Sequence, residues 1–305
     1  MVMKACAFIG NIRVMTSVLL VFLLMTTTAF SADLAEIRKR GVLRHLGITY
    51  ANFVTEAGEG LDVELMRLFA KHLGVRYVLV KTSWSEAFGD LTGRQVRQEG
   101  DEVVVIGKAA IRGDVLANGL TVLPFREKII NYSTPTFPTG VWLIARADSP
   151  LKPITPSGNI ENDIKKVMEL LPGRSVLTMK GTCLDADLYN LSATGAKIIL
   201  HTASENLNDV APAIINGAAE ATLLDVPDAL VALQKWPGEI KVIGPVSPRQ
   251  LMGVGFAKSS NELRKAFNEF FQTHMKDGTY EGLVRKYYPT VFLYFNDFFT
   301  VEKRR

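Results

Sequence analysis

The chain has 305 residues, of which 48% are hydrophobic and 22% are charged, and its formal net charge at pH 7 is +4. A charge so close to balance gives no reason to expect nucleic acid or an anionic membrane surface as a partner. Two cysteines in the whole sequence exclude a disulfide scaffold, and the length suits one large domain or two lobes of about 100 to 150 residues each.

Residues 1–31 have the pattern of a cleaved signal peptide. Two basic residues precede the apolar run Val14 to Met25, and Ala29-Phe30-Ser31 forms a small-x-small cleavage site. The apolar run is shorter than the roughly 20 residues that a membrane-spanning helix needs. The sequence therefore predicts a soluble exported protein with one remaining cysteine, Cys183.

Short apolar strands alternate with amphipathic helices along the rest of the chain, which favours a mostly parallel α/β fold. Strands are predicted over 41–48, 77–81, 103–106, 114–117, 141–146, 175–179, 197–200, 221–224, 240–243 and 253–258. Helices are predicted over 61–73, after Gly181-Thr182, over 205–215, from 226, and after a capping box formed by Ser259 and Glu262. Part of the segment 89–113, which is rich in Gly, Arg and Gln, is predicted to be a surface excursion.

Two strand crossings are predicted, near 141–146 and 250–256, so the first lobe would be discontinuous in sequence. Lobe 1 would comprise 32–142 and 253–305, and lobe 2 would comprise 147–249. Two lobes joined by two strands form a hinged clamp whose closure a ligand can bias.

Thr121 lies five residues ahead of Arg126, on a turn just after an apolar strand. This spacing can present a fixed cation and neutral donors at the carboxyl end of a strand, which suits a small carboxylate. The alternative is a surface arginine in a turn in which Thr121 caps a helix.

Several short motifs occur in an order and at a spacing that resemble a known family. They are Gly41 to Arg44, Gly60 to Leu65, Leu120-Thr121 through Arg126, Tyr132-Ser133-Thr134-Pro135, Gly181-Thr182, Gly217 with Asp225, and Asp277 to Tyr280 with Lys286-Tyr287-Tyr288. Together they resemble the type 2 periplasmic solute-binding proteins of family 3, which serve polar amino-acid transporters. The resemblance implies the α/β, two-lobed periplasmic binding protein type II fold, with a ligand cleft between the lobes.

By position, the resemblance implies that Arg126 holds a ligand carboxylate from lobe 1. Thr121 would add its backbone N–H and hydroxyl, and Gly119 would offer a backbone carbonyl to an ammonium group. Tyr50 matches the aromatic residue that lies over the ligand, and Trp84 is a candidate second wall, although aromatic side chains more often belong to the core.

From lobe 2, Thr182 and the amide of Cys183 would complete the carboxylate site at the start of a helix, where unpaired backbone N–H groups favour an anion. An ordinary strand-to-helix turn is the alternative. Asp225 falls where the family keeps an acid for the ligand ammonium, and its alternative is to cap the helix that begins at Val226. Leu123, where many family members have Thr or Ser, makes the expected pocket more apolar.

The resulting expectation is a monomeric periplasmic receptor that takes an amino acid or related small carboxylate to an ABC permease. It has no expected catalytic residue or cofactor, and four scattered histidines give no metal site. The alternatives are a cyclohexadienyl dehydratase-like enzyme, for which Glu86, Asp185 and Asp187 are the available acids, and a sensory module. The chain also resembles the amino-terminal module of membrane-bound lytic transglycosylases, but no lysozyme-like domain is expected.

Overall fold

The computed structural model describes residues 33–99 and 102–300, so the predicted signal peptide at 1–31 lies outside the described residues. The strands are β1 (Val42–Gly47), β2 (Arg76–Lys81), β3 (Arg94–Glu99), β4 (Glu102–Lys108), β5 (Val115–Leu116), β6 (Ile130–Tyr132), β7 (Phe137–Thr139), β8 (Val141–Arg146), β9 (Ser175–Thr178), β10 (Lys197–Leu200), β11 (Ala221–Asp225), β12 (Ile240–Pro245), β13 (Gln250–Met252) and β14 (Gly255–Ala257). The helices are α1 (Leu34–Arg40), α2 (Leu61–Leu73), α3 (Ala87–Thr92), α4 (Pro124–Ile129), α5 (Ile160–Met168), α6 (Val210–Ile215), α7 (Val226–Lys235), α8 (Asn261–Lys276), α9 (Thr279–Tyr287) and α10 (Phe292–Thr300).

Two five-stranded sheets organise these elements. The first has the order β2-β1-β5-β14-β6, with β1 parallel to β2 and β5 and with β14 antiparallel to its neighbours. The second has the order β10-β9-β11-β8-β12, in which β8 runs antiparallel to both β11 and β12. We call the first sheet with its helices lobe 1, and the second sheet with its helices lobe 2.

The chain passes between the two sheets beside a small ribbon. Strands β7 and β13 pair with each other, with Phe137 opposite Met252, and belong to neither five-stranded sheet. Strand β8, expected near the first crossing, is an inner strand of the second sheet. The crossing segments therefore lie beside β7 and β13.

The segment 89–113 contains a second ribbon. After α3, strands β3 and β4 form a two-stranded antiparallel hairpin in which Val96 lies opposite Val105. Val105 is 55% exposed, whereas Val96 is half-buried. The hairpin contacts α3 and α4, and it therefore lies near the Arg126 turn.

Helix α2 shows how the local sequence determines an element of lobe 1. Leu65, Phe69 and Leu73 recur every four residues and are buried on one side. The helix ends at Gly74, whose φ of 71° is the left-handed conformation that glycine adopts without strain. The predicted bounds of this helix, 61–73, are confirmed.

Two predicted helices differ in the structure. After Gly181-Thr182 the chain forms turns and then two 3₁₀ segments, Ala186–Tyr189 and Leu191–Thr194, instead of an α-helix. Each ends at a residue in the left-handed conformation, Asn190 or Gly195, and this stops the helical turn from extending. The helix expected over 205–215 is a 3₁₀ turn, Leu207–Asp209, followed by the short α6.

The predicted capping box of α8 is wrong. The N-cap is Ser260 rather than Ser259, and the backbone N–H groups of Glu262 and Leu263 donate to the carboxylate of Asp33 at 3.3 and 2.8 Å. Asp33 is itself the N-cap of α1 and accepts from Leu34 N. One carboxylate thus caps two helices from distant parts of the sequence.

Candidate functional site

Arg126 lies in the one-turn helix α4 and is fully buried. Leu123 is the N-cap of this helix and Pro124 its first residue, a position where the missing N–H of proline costs nothing. The guanidinium turns back on the chain, and its Nη1 donates to the carbonyl of Thr121 at 3.0 Å. Arg126 is therefore not a surface residue, and the N-cap of its helix is Leu123 rather than Thr121.

Two nitrogens of the Arg126 guanidinium, Nε and Nη2, have no hydrogen-bond partner among the described residues. The group lies against aromatic rings, with Cζ 4.9 Å from the ring centre of Trp84 and 5.5 Å from that of Phe125. Ring faces stabilise a cation but accept no bidentate hydrogen bond. The free edge of the fork thus retains the geometry that matches a carboxylate.

Asp225 ends strand β11 in lobe 2 and is also fully buried. It occupies the N-cap position of α7, but its side chain makes no capping hydrogen bond. Its Oδ2 instead accepts from Tyr50 Oη at 3.1 Å, from Cys183 Sγ at 3.1 Å and from Thr121 Oγ1 at 3.4 Å. Its Oδ1 has no partner among the described residues.

The charge of Asp225 is set by competing effects. Burial raises its pKa to about 6, while hydrogen bonds from Cys183 and Tyr50 and the positive charge of Arg126 act in the opposite direction. Burial and the nearby charge of Asp225 hold the pKa of the Cys183 thiol well above its usual value. Cys183 is thus a neutral thiol donor to the carboxylate.

The site joins the two lobes. Tyr50 and Thr121 belong to lobe 1, whereas Cys183 and Asp225 belong to lobe 2. Other hydrogen bonds also cross the boundary, among them Ala51 N to Asn208 Oδ1 at 2.8 Å. The described structure is therefore a closed arrangement in which the two lobes share one buried polar cluster.

Gly119 is required by the backbone beside this cluster. Its φ is +65°, and a Cβ added there would lie 2.4 Å from the ring of Phe53. Its N–H donates to Asp62 Oδ2 at 2.6 Å. Burial raises the pKa of Asp62 to about 7, although the Gly119 hydrogen bond lowers it.

Thr182 needs a correction. Because no helix begins at Cys183, the expected row of unpaired N–H groups for an anion is not formed. The Thr182 hydroxyl is used within its own turn, where it donates to Met179 O at 2.7 Å and accepts from Leu184 N at 3.1 Å. Thr182 shapes the lobe 2 loop but does not contact Asp225 through its side chain.

Trp84 lies beside two cavities at the lobe boundary, of about 560 and 410 Å³. Ser85, Lys180 and Gly181 also line both cavities. The Trp84 ring therefore separates the Arg126 guanidinium from these cavities.

Sequence reasoning missed several polar side chains. Asn118 follows β5 and Thr178 ends β9, and both are buried with polar atoms that lack a partner among the described residues. A polar residue at the carboxyl end of an apolar strand was the available signal. Asp228, one turn after Asp225, is also buried, and burial together with the Asp225 charge raises its pKa to about 8.

Two further findings concern residues 33–99 and 102–300. No set of three or more His, Cys, Asp and Glu side chains in this part of the chain could hold a metal ion. None of the helices described there combines the length and the apolar character needed to cross a membrane.

The chain is similar in sequence to several known proteins. The chain is 26% identical over 267 residues to membrane-bound lytic murein transglycosylase F of Desulfosudis oleivorans, matching 85% of this chain but 51% of that protein. It is 26% identical over 272 residues to the L-cystine-binding protein TcyJ of Escherichia coli K12, matching 87% of this chain and 90% of that protein.

The fold is shared with a mutant of ArgBP from T. maritima, with a TM-score of 0.65, 24% identity, and coverage of 84% of this chain and 99% of that one. This likeness confirms the predicted two-lobed α/β fold. The sequence profile of the bacterial extracellular solute-binding proteins, family 3, matches residues 107–290, more than half of the chain. The chain therefore belongs to family 3 of the bacterial extracellular solute-binding proteins.

Proposed function

We propose that this protein is a periplasmic receptor whose two lobes close around an α-amino acid or a related small carboxylate. The observation that carries the proposal is the pair Arg126 and Asp225. The two side chains have opposite charge, are fully buried at the lobe boundary, and keep polar atoms without a partner among the described residues.

A ligand carboxylate fits the free Nε and Nη2 edge of Arg126, which offers two parallel donors. A ligand ammonium fits Oδ1 of Asp225, and the Gly119 carbonyl is its further candidate acceptor. Tyr50 and Trp84 are the candidate walls of the site, and Thr121 and Cys183 are its candidate polar contacts. A ligand carboxylate that pairs with this buried guanidinium stabilises the closed arrangement in particular.

The receptor delivers its ligand as a monomer to an ABC permease. Support comes from the membership of family 3 and from the predicted signal peptide, and the relative named as an L-cystine-binding protein suggests an amino acid as the ligand. Binding and release require no catalytic group, only a difference in affinity between the open and closed arrangements.

The acids that an enzyme on this fold could use have partners of their own. Glu86 lies 3.8 Å from Arg112, and Asp187 lies 3.6 Å from Lys180. Asp185 accepts from the backbone N–H groups of Gly181 and Asp187. This pattern favours binding over proton transfer.

A thermal-shift screen with the amino acids and small carboxylates tests the proposal. A ligand present at about 100 times its Kd stabilises the protein by about 2.7 kcal/mol. Arg126→Lys keeps the positive charge but removes the bidentate guanidinium, so the ligand should no longer shift the melting temperature of this variant. Arg285→Lys is the control, because Arg285 forms an exposed pair with Glu281, and this variant should keep the thermal shift. Asp225→Asn should weaken the binding of amino acids more strongly than the binding of carboxylates that have no ammonium group.

An unchanged shift in Arg126→Lys would show that the carboxylate lies elsewhere. Turnover of prephenate or arogenate by the parent protein would contradict the receptor function in favour of the enzyme.

A further inference from the structure

The larger cavity beside Trp84 is not explained by binding of an amino-acid head group. We call it the side chamber; it has a volume of about 560 Å³ and lies between the β3–β4 hairpin and α3 of lobe 1 and the loop 180–188 of lobe 2. Neither Arg126 nor Asp225 lines it. Its volume is within the range of about 300–1,000 Å³ that complete small-molecule sites occupy, so a short side chain would leave most of it unfilled.

The side chamber has an apolar, largely aromatic wall. Trp84, Phe88 and Phe125 line it, and Phe88 and Phe125 are only 9% and 7% exposed. Aromatic side chains packed into the wall in this way offer faces for another ring. Val96 of the hairpin and Leu188 of lobe 2 extend the apolar lining from the two sides.

The positive and negative charges that line the side chamber are equal in number. Its lining contains Arg97 and Lys180 as cations and Asp185 and Asp187 as anions. Lys180 lies 3.6 Å from Asp187, and Arg97 pairs with Glu99. Such a lining attracts neither a cationic nor an anionic group, and it favours a neutral one.

Trp84 is the partition between the chamber and the candidate site, because its ring lines the chamber and also lies 4.9 Å from Cζ of Arg126, so the two spaces adjoin across one side chain. We propose that the side chamber is a second subsite, which holds a neutral aromatic or apolar extension on the side chain of an amino acid whose head group binds Arg126 and Asp225. This inference rests on the proposed function and narrows its ligands to extended amino acids.

Titration calorimetry on matched pairs of compounds tests the inference. The pairs are L-serine with O-benzyl-L-serine, L-glutamine with γ-L-glutamyl-p-nitroanilide, and L-lysine with Nε-benzoyl-L-lysine. Each pair shares an amino-acid head group, and its second member adds a neutral aromatic extension. In a pair that binds, the extended member should bind about tenfold more tightly, because it buries a ring on the chamber wall.

A variant that fills the chamber separates this effect from general hydrophobicity. Val96→Trp should lower the affinity for the extended compound by about tenfold or more and leave that for the short one unchanged. Ile160→Trp is the control, because Ile160 is an exposed apolar residue of α5 that lines neither cavity. Leu188→Trp fills the chamber from lobe 2 and replaces Val96→Trp if the hairpin does not tolerate tryptophan.

The outcomes separate the two proposals. Equal affinities within each binding pair, or no effect of a folded chamber-filling variant, would overturn the second subsite and leave the proposed function intact. Failure of every pair to bind would contradict the proposed amino-acid site, and with it the second subsite.

Discussion

Tyr50 and Asp225 are 175 residues apart in sequence and lie on different lobes, yet Tyr50 Oη donates a 3.1 Å hydrogen bond to Asp225 Oδ2. Both side chains are buried, with Tyr50 1% exposed. Opening the lobes must break this bond. The hydrogen bond therefore links the state of the hinge to the residue proposed to hold a ligand ammonium.

Tyr50→Phe should shift the ligand-free protein toward open lobes. A hydrogen bond to a charged group contributes about 1.5–3 kcal/mol, so the ratio of closed to open molecules should fall about tenfold or more. Small-angle X-ray scattering measures this as an increased radius of gyration. Tyr77→Phe is the control, because Tyr77 Oη pairs with His45 Nδ1 at 2.8 Å within lobe 1. Identical scattering from Tyr50→Phe and the parent would show that this bond does not hold the lobes.

Gly119→Ala should destabilise the protein much more than Gly41→Ala. Both glycines have a positive φ, +65° and +70°, so each substitution has a similar backbone cost of about 1 kcal/mol. A Cβ at Gly119 also meets the ring of Phe53 at 2.4 Å, whereas a Cβ at Gly41 meets nothing within 4 Å. The overpacking adds about 1–3 kcal/mol. Urea unfolding measures the free energy of unfolding of both variants. Equal losses of stability would mean that the Phe53 ring moves aside without cost.

The elements that could be predicted from the sequence are those determined by residues close together in the chain. Helix α2 could be bounded because its apolar period and Gly74 lie within fourteen consecutive residues. Asp225 could be placed at the end of an apolar strand for the same reason. Its partners could not be predicted by local pattern, because Tyr50, Thr121 and Cys183 reach it from three separate segments. The helix predicted after Thr182 was wrong because a strand followed by Gly181 resembles a helix start, whereas the chain there forms turns and a short 3₁₀ segment that ends at Asn190.

Asp33→Ala tests a contact that no local pattern could reveal. The Asp33 carboxylate accepts from Leu34 N at the start of α1 and from Glu262 and Leu263 N at the start of α8. Loss of a single cap costs about 1 kcal/mol, so loss of a cap shared by two helices should cost about 2 kcal/mol. Asn159→Ala removes the single cap of α5, through Asn162 N, and should cost about half as much. Chemical denaturation compares the two variants, and a smaller loss for Asp33→Ala would show that α8 does not depend on this carboxylate.

Asp228→Asn should stabilise the protein in a manner that depends on pH. Asp228 is buried, its Oδ2 has no partner among the described residues, and burial together with the charge of Asp225 raises its pKa from 3.8 to about 8. The folded protein therefore holds a proton that the unfolded chain releases above pH 4, and the native carboxyl costs more stability as the pH rises from about 4 to about 8. Asparagine has nearly the same shape and cannot ionise.

The gain from Asp228→Asn should therefore be near zero at pH 4 and largest at and above pH 8. Each pKa unit corresponds to about 1.4 kcal/mol, so the gain should reach one to a few kcal/mol. Thermal unfolding at several pH values measures it. Asp297→Asn is the control, because Arg249 lowers the pKa of that exposed carboxyl, and its substitution should remove stability that is present above about pH 4. A gain for Asp228→Asn that stays constant between pH 4 and pH 8 would show that the folded and unfolded proteins bind the same number of protons at Asp228, and hence that its carboxyl is ionised in the folded protein across this range.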